Sequence, residues 1–157
     1  MKVLMVCLGN ICRSPMAEGV FRKKIAGKNI DVSVDSAGTA PYHIGQAPDS
    51  RAIAVAKEFG VDISTLRGRQ FTSADFDRFD KIFVMDHSNL SNVLSLAKDD
   101  VQKGKVKLLL ELLNENSLQE VPDPWFGGPR DFHDVYLLLD RVCEKLADSI
   151  STSVINK

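Results

Sequence analysis

One stretch near the N-terminus, Cys7-Leu8-Gly9-Asn10-Ile11-Cys12-Arg13-Ser14-Pro15, constrains what the rest of the chain can fold into. The residues before it, Lys2–Val6, are apolar without alternation and read as a fully buried strand. After it, Ala17, Val20, Phe21 and Ile25 recur at helical spacing. Ser14 is placed to cap that helix and Pro15 to occupy its first position. A buried strand that passes into a helix through so short a loop turns the loop's backbone N–H groups and the helix's positive end towards one concavity, which is an anion site. Cys7 stands at its rim, and the planar fork of Arg13 can hold two oxygens of an oxyanion. Gly9 lets backbone approach a ligand closely. Asn10 tolerates the left-handed conformation that a curled loop needs. These surroundings favour a thiolate. A thiolate and a phosphate want the same environment, so the loop is expected to bind phosphate and attack it.

The remaining pattern alternates strand and helix. Ile30, Val32 and Val34 alternate as a second strand that ends at Asp35-Ser36-Ala37-Gly38. A loop follows to Pro48, then a helix with Ala52, Val55, Ala56 and Phe59 on one face and Gly60 as its stop. Thr72-x-x-Asp75 can cap a short helix. Lys81–Met85 reads as a third strand, Asp86 as the cap of a helix carrying Leu90, Val93, Leu94 and Ala97, and Val106–Leu110 as a fourth strand. The last helix has the clearest stripe: Phe132, Val135, Tyr136, Leu139, Val142, Cys143, Leu146 and Ile150. The economical architecture is an α/β three-layer sandwich, a four-stranded parallel sheet with helices on both faces. The chain of 157 residues is expected to form one domain, 1–157, without repeats or an interdomain linker. In such sheets ligands sit beyond the carboxyl ends of the strands, where Cys7–Ser14, Ser36–Gly38 and Asp86 all fall.

Composition removes several function classes. A net charge of −1 gives no general pull towards nucleic acid or an anionic membrane, so any attraction for a phosphorylated substrate must be local to the loop. No stretch approaches the ~20 apolar residues of a membrane span, and Val3–Val6 is too short for a signal sequence. The expected location is the cytoplasm, with Cys7, Cys12 and Cys143 reduced. These cysteines form no CxxC pair, and His43, His87 and His133 share no ligand spacing, so neither a metal nor another cofactor is expected. Cys12 has two readings: it packs, or it traps an oxidised Cys7 as a disulfide. Asp123, held between Pro122 and Pro124, belongs either to an ordinary turn or to a stiff loop that presents a carboxyl.

The phosphate-binding stretch resembles that of the low-molecular-weight protein tyrosine phosphatases. Ser36-Ala37-Gly38-Thr39, Arg69-Gln70, Met85-Asp86 and Asp123-Pro124-Trp125-Phe126-Gly127 follow in the order that family uses. The resemblance spans nearly the whole chain. It implies metal-free, two-step hydrolysis of phosphotyrosine and aryl phosphate monoesters. Cys7 is then the nucleophile, and Arg13 with the loop residues Leu8, Gly9, Asn10, Ile11 and Cys12 holds the phosphoryl oxygens. Asp123 acts as general acid and then as base. Ser14 hydrogen-bonds the thiolate, Asn10 and Ser36 keep the loop's shape, and Tyr42, Trp125 and Phe126 wall an aromatic slot. Asp86 either orients Arg13 or, more simply, caps its helix. The partners implied are tyrosine-phosphorylated proteins, with inorganic phosphate as product and a monomer as the acting form.

Two departures and three rivals bear on this. Leu66 stands where family members often carry a histidine that supports the loop asparagine, so that support is missing or replaced. Trp125-Phe126 stands where some members carry adjacent tyrosines that are phosphorylated. Arsenate reductases share the fold but need resolving cysteines in a middle segment, and none lies between Cys12 and Cys143. Protein-arginine phosphatases carry threonine at the position of Ile11. A catalytically silent phosphate or phosphopeptide binder would be expected to lack Cys7, Arg13 or Asp123, and all are present.

Overall fold

The computed structural model describes residues 1–155, so the last two positions of the expected 1–157 unit, Asn156 and Lys157, lie outside the described residues. The elements are β1 (Lys2–Cys7), α1 (Arg13–Ala26), β2 (Ser33–Gly38), α2 (Ser50–Glu58), α3 (Asp75–Arg78), β3 (Lys81–Val84), α4 (His87–Leu94), α5 (Asp100–Gly104), β4 (Val106–Leu108) and α6 (Pro129–Ile155), with a 3-10 turn at Leu109–Leu113. The strands form one parallel sheet in the order β2-β1-β3-β4. Alternation along β1 divides the interior. Val3 and Met5 join the larger core with Phe21 of α1, Ala56 of α2 and Leu139 of α6, while Leu4 and Val6 face Phe76, Ile82 and Val93 on the other side. Helices therefore cover both faces, as expected.

The order places β1 between β2 and β3, so the chain leaves β1 towards one neighbour and later returns on the other side. That reversal opens a crevice at the carboxyl ends of the strands. Cys7 ends β1 opposite Gly38, and Met85-Asp86 follows β3 at the same edge. Among the described residues no helix is long and apolar enough to cross a membrane.

Element boundaries depart from the pattern where pairing partners run out. β2 begins at Ser33, paired with Lys2, because β1 starts at Lys2 and offers nothing for Ile30 to pair with. Ile30 and Val32 still pack against the core. β4 stops at Leu108, and the buried Leu109 and Leu110 belong to the 3-10 turn; an apolar run is buried equally well in either conformation. Phe59 caps the C-terminal end of α2 and stacks on Tyr136, with ring centroids 4.5 Å apart. Thr72 does not cap α3: its backbone N–H donates to the fully buried Asp75 carboxylate at 2.9 Å.

Packing of α1 gives a test of the fold. A Cβ on Gly19 would stand 2.5 Å from Ile63 Cγ2 and 2.8 Å from Val61 Cγ1. Both neighbours are buried and β-branched, so neither swings aside easily. Gly19→Ala gains about 1 kcal/mol of helix propensity against an overpacking cost of about 1–3 kcal/mol. We expect a net loss, read as a lower urea midpoint with an unchanged m-value. A raised midpoint would mean that residues 61–63 yield freely.

Candidate active site

The loop joining β1 to α1 is shaped from behind by side chains. Asn10 has a φ of 57°, the left-handed conformation anticipated for it. The backbone N–H of Arg69 donates to Asn10 Oδ1 at 3.0 Å, which fixes the amide's orientation because that N–H can only donate. Asn10 Nδ2 is thereby turned to donate to Ser14 Oγ at 2.8 Å and to Ser36 Oγ at 2.9 Å. Ser36 in turn donates to Glu18 Oε1 at 2.7 Å, and Arg22 closes the chain on Glu18 Oε2 at 2.7 Å. Burial pushes the Glu18 carboxyl up, opposed by the Ser36 bond and by Arg22. With Leu66 partly buried against the core, the Arg69 backbone supports Asn10 where the resemblance suggested a histidine. Gly38 lies against the loop: a Cβ there would meet Leu8 O at 2.7 Å and Asn10 N at 3.1 Å, backbone atoms that cannot give way.

Ser14 is not the helix cap. Cys12 occupies that position without a side-chain hydrogen bond, and α1 begins at Arg13. A capping oxygen would compete for the N–H groups that an anion needs. The Ser14 hydroxyl is fully buried and lies 3.0 Å from Cys7 Sγ. Since Ser14 Oγ already accepts from Asn10, its own proton is directed to Cys7 or to the more distant Ala37 carbonyl at 3.4 Å.

Arg13 is 2% exposed, and its Nη1 donates both to Asp86 Oδ2 at 2.7 Å and to the Val121 carbonyl at 3.0 Å. Asp86 has both of its expected roles. Its other oxygen accepts from Asn89 N at 2.8 Å in a capping box on α4, so the cap and the hold on Arg13 coexist. Burial pulls the Arg13 pKa down, but the negative charges of Cys7 and Asp86 and the Asp86 hydrogen bond outweigh it and hold it above its ordinary value. Asp123 Oδ2 lies 3.7 Å from Arg13 Nη2, and Asp123 Oδ1 accepts from Trp125 N at 3.1 Å.

These groups meet at a cavity of about 290 Å³. Cys7, Leu8, Gly9, Ile11, Cys12 and Arg13 line it from the loop, and Tyr42, Asp123, Trp125 and Phe126 from the surrounding segments. Phe126 is 95% and Tyr42 68% exposed, so the entrance is aromatic and open. Asn10, Ser14, Ser36 and Asp86 stand behind the lining rather than in it. The sequence reading missed His43, which also lines the cavity, with Nδ1 2.8 Å from Gln46 Oε1 and its ring 5.7 Å from that of Trp125. It also missed Glu18, which lay hidden in a helical stripe. Burial, with the nearby charges of Asp49 and Cys7, pushes the Cys12 thiol well up, so Cys12 is a neutral thiol. Cys143 is buried in α6. Among the described residues no group of His, Cys, Asp or Glu is arranged to hold a metal ion. A sulfur at a strand end, a fixed guanidinium and an exposed carboxylate around one aromatic-mouthed cavity are the parts for moving a phosphoryl group through sulfur.

Comparison with known proteins agrees with this geometry. The family model for low molecular weight phosphotyrosine protein phosphatase matches residues 2–156. The human low molecular weight phosphotyrosine protein phosphatase is 44% identical over 146 residues, 90% of either chain. A crystal structure of a protein tyrosine phosphatase from Entamoeba histolytica, with Hepes in its active site, superposes with a TM-score of 0.91 at 39% identity over 98% of each chain. Wzb of Vibrio vulnificus, in complex with benzylphosphonate, superposes with a TM-score of 0.83 at 32% identity over 94% of this chain and 97% of its own. Fold, cavity and similarity along nearly the whole length converge, and the chain belongs to the low molecular weight phosphotyrosine protein phosphatase family.

Proposed function

We propose that the chain hydrolyses phosphotyrosine in proteins, and aryl phosphate monoesters generally, by a metal-free two-step route through a cysteinyl-phosphate on Cys7. The observation that carries this reading is the convergence of Cys7 Sγ, the anchored Arg13 and the Asp123 carboxylate on one aromatic-mouthed cavity. In the first step the Cys7 thiolate attacks phosphorus in line with the ester oxygen. The S–P bond forms as the P–O bond to the phenol breaks. Arg13 and the loop N–H groups bind the equatorial oxygens and offset the charge of the transition state. The leaving phenolate has a parent pKa of about 10, and protonated Asp123 delivers a proton to it. In the second step Asp123 takes a proton from water as that water attacks phosphorus. The S–P bond breaks and inorganic phosphate leaves. The Ser14 hydroxyl stabilises the departing thiolate.

Tyr42, Trp125 and Phe126 give the cavity depth and an apolar mouth, which suits a phenyl phosphate better than the shorter phosphoserine. The benzylphosphonate bound by the Vibrio vulnificus relative is an aryl ligand of the same kind. Ile11, apolar and lining the cavity, favours an aromatic ester over phosphoarginine. Cys143 lies in the core and is no resolving cysteine, which disfavours arsenate reduction. The unit acts as a single domain and a monomer in the cytoplasm, where Cys7 stays reduced.

Phosphotyrosine, phosphoserine and phosphoarginine peptides, assayed side by side with a chelator present, test this reading. Selective turnover of phosphotyrosine is expected, and a preference for phosphoarginine would overturn the assignment. Cys7→Ser should abolish turnover while keeping inorganic phosphate binding, measured by calorimetry. Asp123→Ala should cost about two orders of magnitude in kcat/KM for poor leaving groups and far less for good ones. Equal losses across leaving groups would remove Asp123 from the role of acid.

A further inference from the structure

Asp123 sits on a segment with few ties to the rest of the fold. Within it, Trp125 N donates to Asp123 Oδ1 and Gly127 N to the Pro124 carbonyl, both local bonds. Between Pro122 and Gly127, among the described residues, the hydrogen bonds arriving from another element come from Arg51, the second residue of α2. Its Nη1 donates to the Gly127 carbonyl at 2.9 Å and its Nη2 to the Trp125 carbonyl at 3.1 Å. The guanidinium also lies 4.4 Å from the centroid of the Phe132 ring and 5.8 Å from that of Trp125. The same planar group is held from behind by Asp49, whose Oδ1 accepts from Nε at 3.0 Å and whose Oδ2 accepts from Nη2 at 3.1 Å. Asp49 is tied to the phosphate loop, since its backbone N–H donates to the Ile11 carbonyl at 2.8 Å.

These contacts form one continuous path from the backbone of the loop that follows Cys7, through Asp49 and Arg51, to the backbone just beyond Asp123. We propose that Arg51 is a positioning residue that sets the Asp123 segment against the phosphate loop, so that the carboxyl faces the ester oxygen. The inference rests on the reading of Asp123 as proton donor. Arginine suits the task because a rigid fork can bridge two carbonyls and stack on rings at once, which lysine and glutamine cannot do. A proton donor displaced by about 1 Å loses much of its effect on the rate, so a residue that touches no substrate still governs the step.

The test is kcat/KM for aryl phosphates graded from good to poor leaving groups, with Arg51→Gln made in both the native and the Asp123→Ala backgrounds. In the native background a loss of about tenfold is expected for phenyl phosphate and less than about twofold for a nitrophenyl ester. In the Asp123→Ala background the same substitution should change either rate by less than about twofold, since the group it positions is gone. The chain has a single tryptophan, Trp125, so its fluorescence reads the segment directly; Arg51→Gln should make it more accessible to acrylamide. Arg51→Lys should give a smaller loss that again falls mainly on the poor leaving groups, and it serves in place of the glutamine variant should that one not fold. An equal loss for all leaving groups, or a loss that persists without Asp123, overturns the inference while leaving the reading of Asp123 intact. A flat leaving-group profile for Asp123→Ala alone overturns that reading and the inference with it.

Discussion

The phosphate loop keeps its curl through one side chain, that of Asn10. A left-handed conformation at a residue other than glycine costs on the order of 1 kcal/mol, and a buried amide left unpaired costs more. Both costs are offset because the Asn10 amide uses both of its donors, on Ser14 and Ser36, while its oxygen accepts from Arg69 N. The consequence reaches the reactive sulfur. With Asn10 donating to Ser14, the serine's own proton has two neighbours to serve, Cys7 Sγ at 3.0 Å and the Ala37 carbonyl at 3.4 Å. Loop shape and the electrostatics around the sulfur are therefore a single network, continued outwards through Ser36 to the buried Glu18.

A second network is built on Arg13. Asp86 and the Val121 carbonyl share Nη1 and hold the plane of the guanidinium, so on the proposed reading Arg13 is already oriented for an anion. Asp86 manages this while capping α4, which ties the position of the arginine to the end of β3. The carbonyl of Val121 stands just before Pro122 and Asp123, and the backbone N–H of Val121 donates to Met85 O. Phosphate loop, β3 and the Asp123 segment thus converge on one side chain.

The proposed specificity has a different origin. The cavity owes its depth to residues that contribute little to the fold, with Phe126 and Tyr42 standing largely in solvent. Exposed aromatics of this kind have no core to fill, and a ring in the ligand is the natural partner for them. On the proposed reading, the firm base binds the phosphoryl group and the exposed mouth chooses what carries it.

The sequence by itself determined the strand–loop–helix at the N-terminus, the alternation that yields a parallel sheet, and the stripe of α6, because each is written in local periodicity and turn chemistry. Cys7 and Arg13 stood out from one contiguous stretch, whereas Asp123 was open between a turn and a presented carboxyl until the family resemblance was considered. Boundaries slipped where a strand's length depends on its neighbour: β2 could not begin before β1 did, whatever Ile30 and Val32 preferred. Asp49 caps α2, but nothing local in the sequence indicated that Arg51 would reach Trp125 and Gly127. His43 and Glu18 were equally silent, one in a loop without pattern and the other in a helix where a charged residue normally faces water. Only the tertiary structure decided these, because their partners lie far away in sequence and become neighbours through the packing of α1, α2 and the strand ends around one crevice.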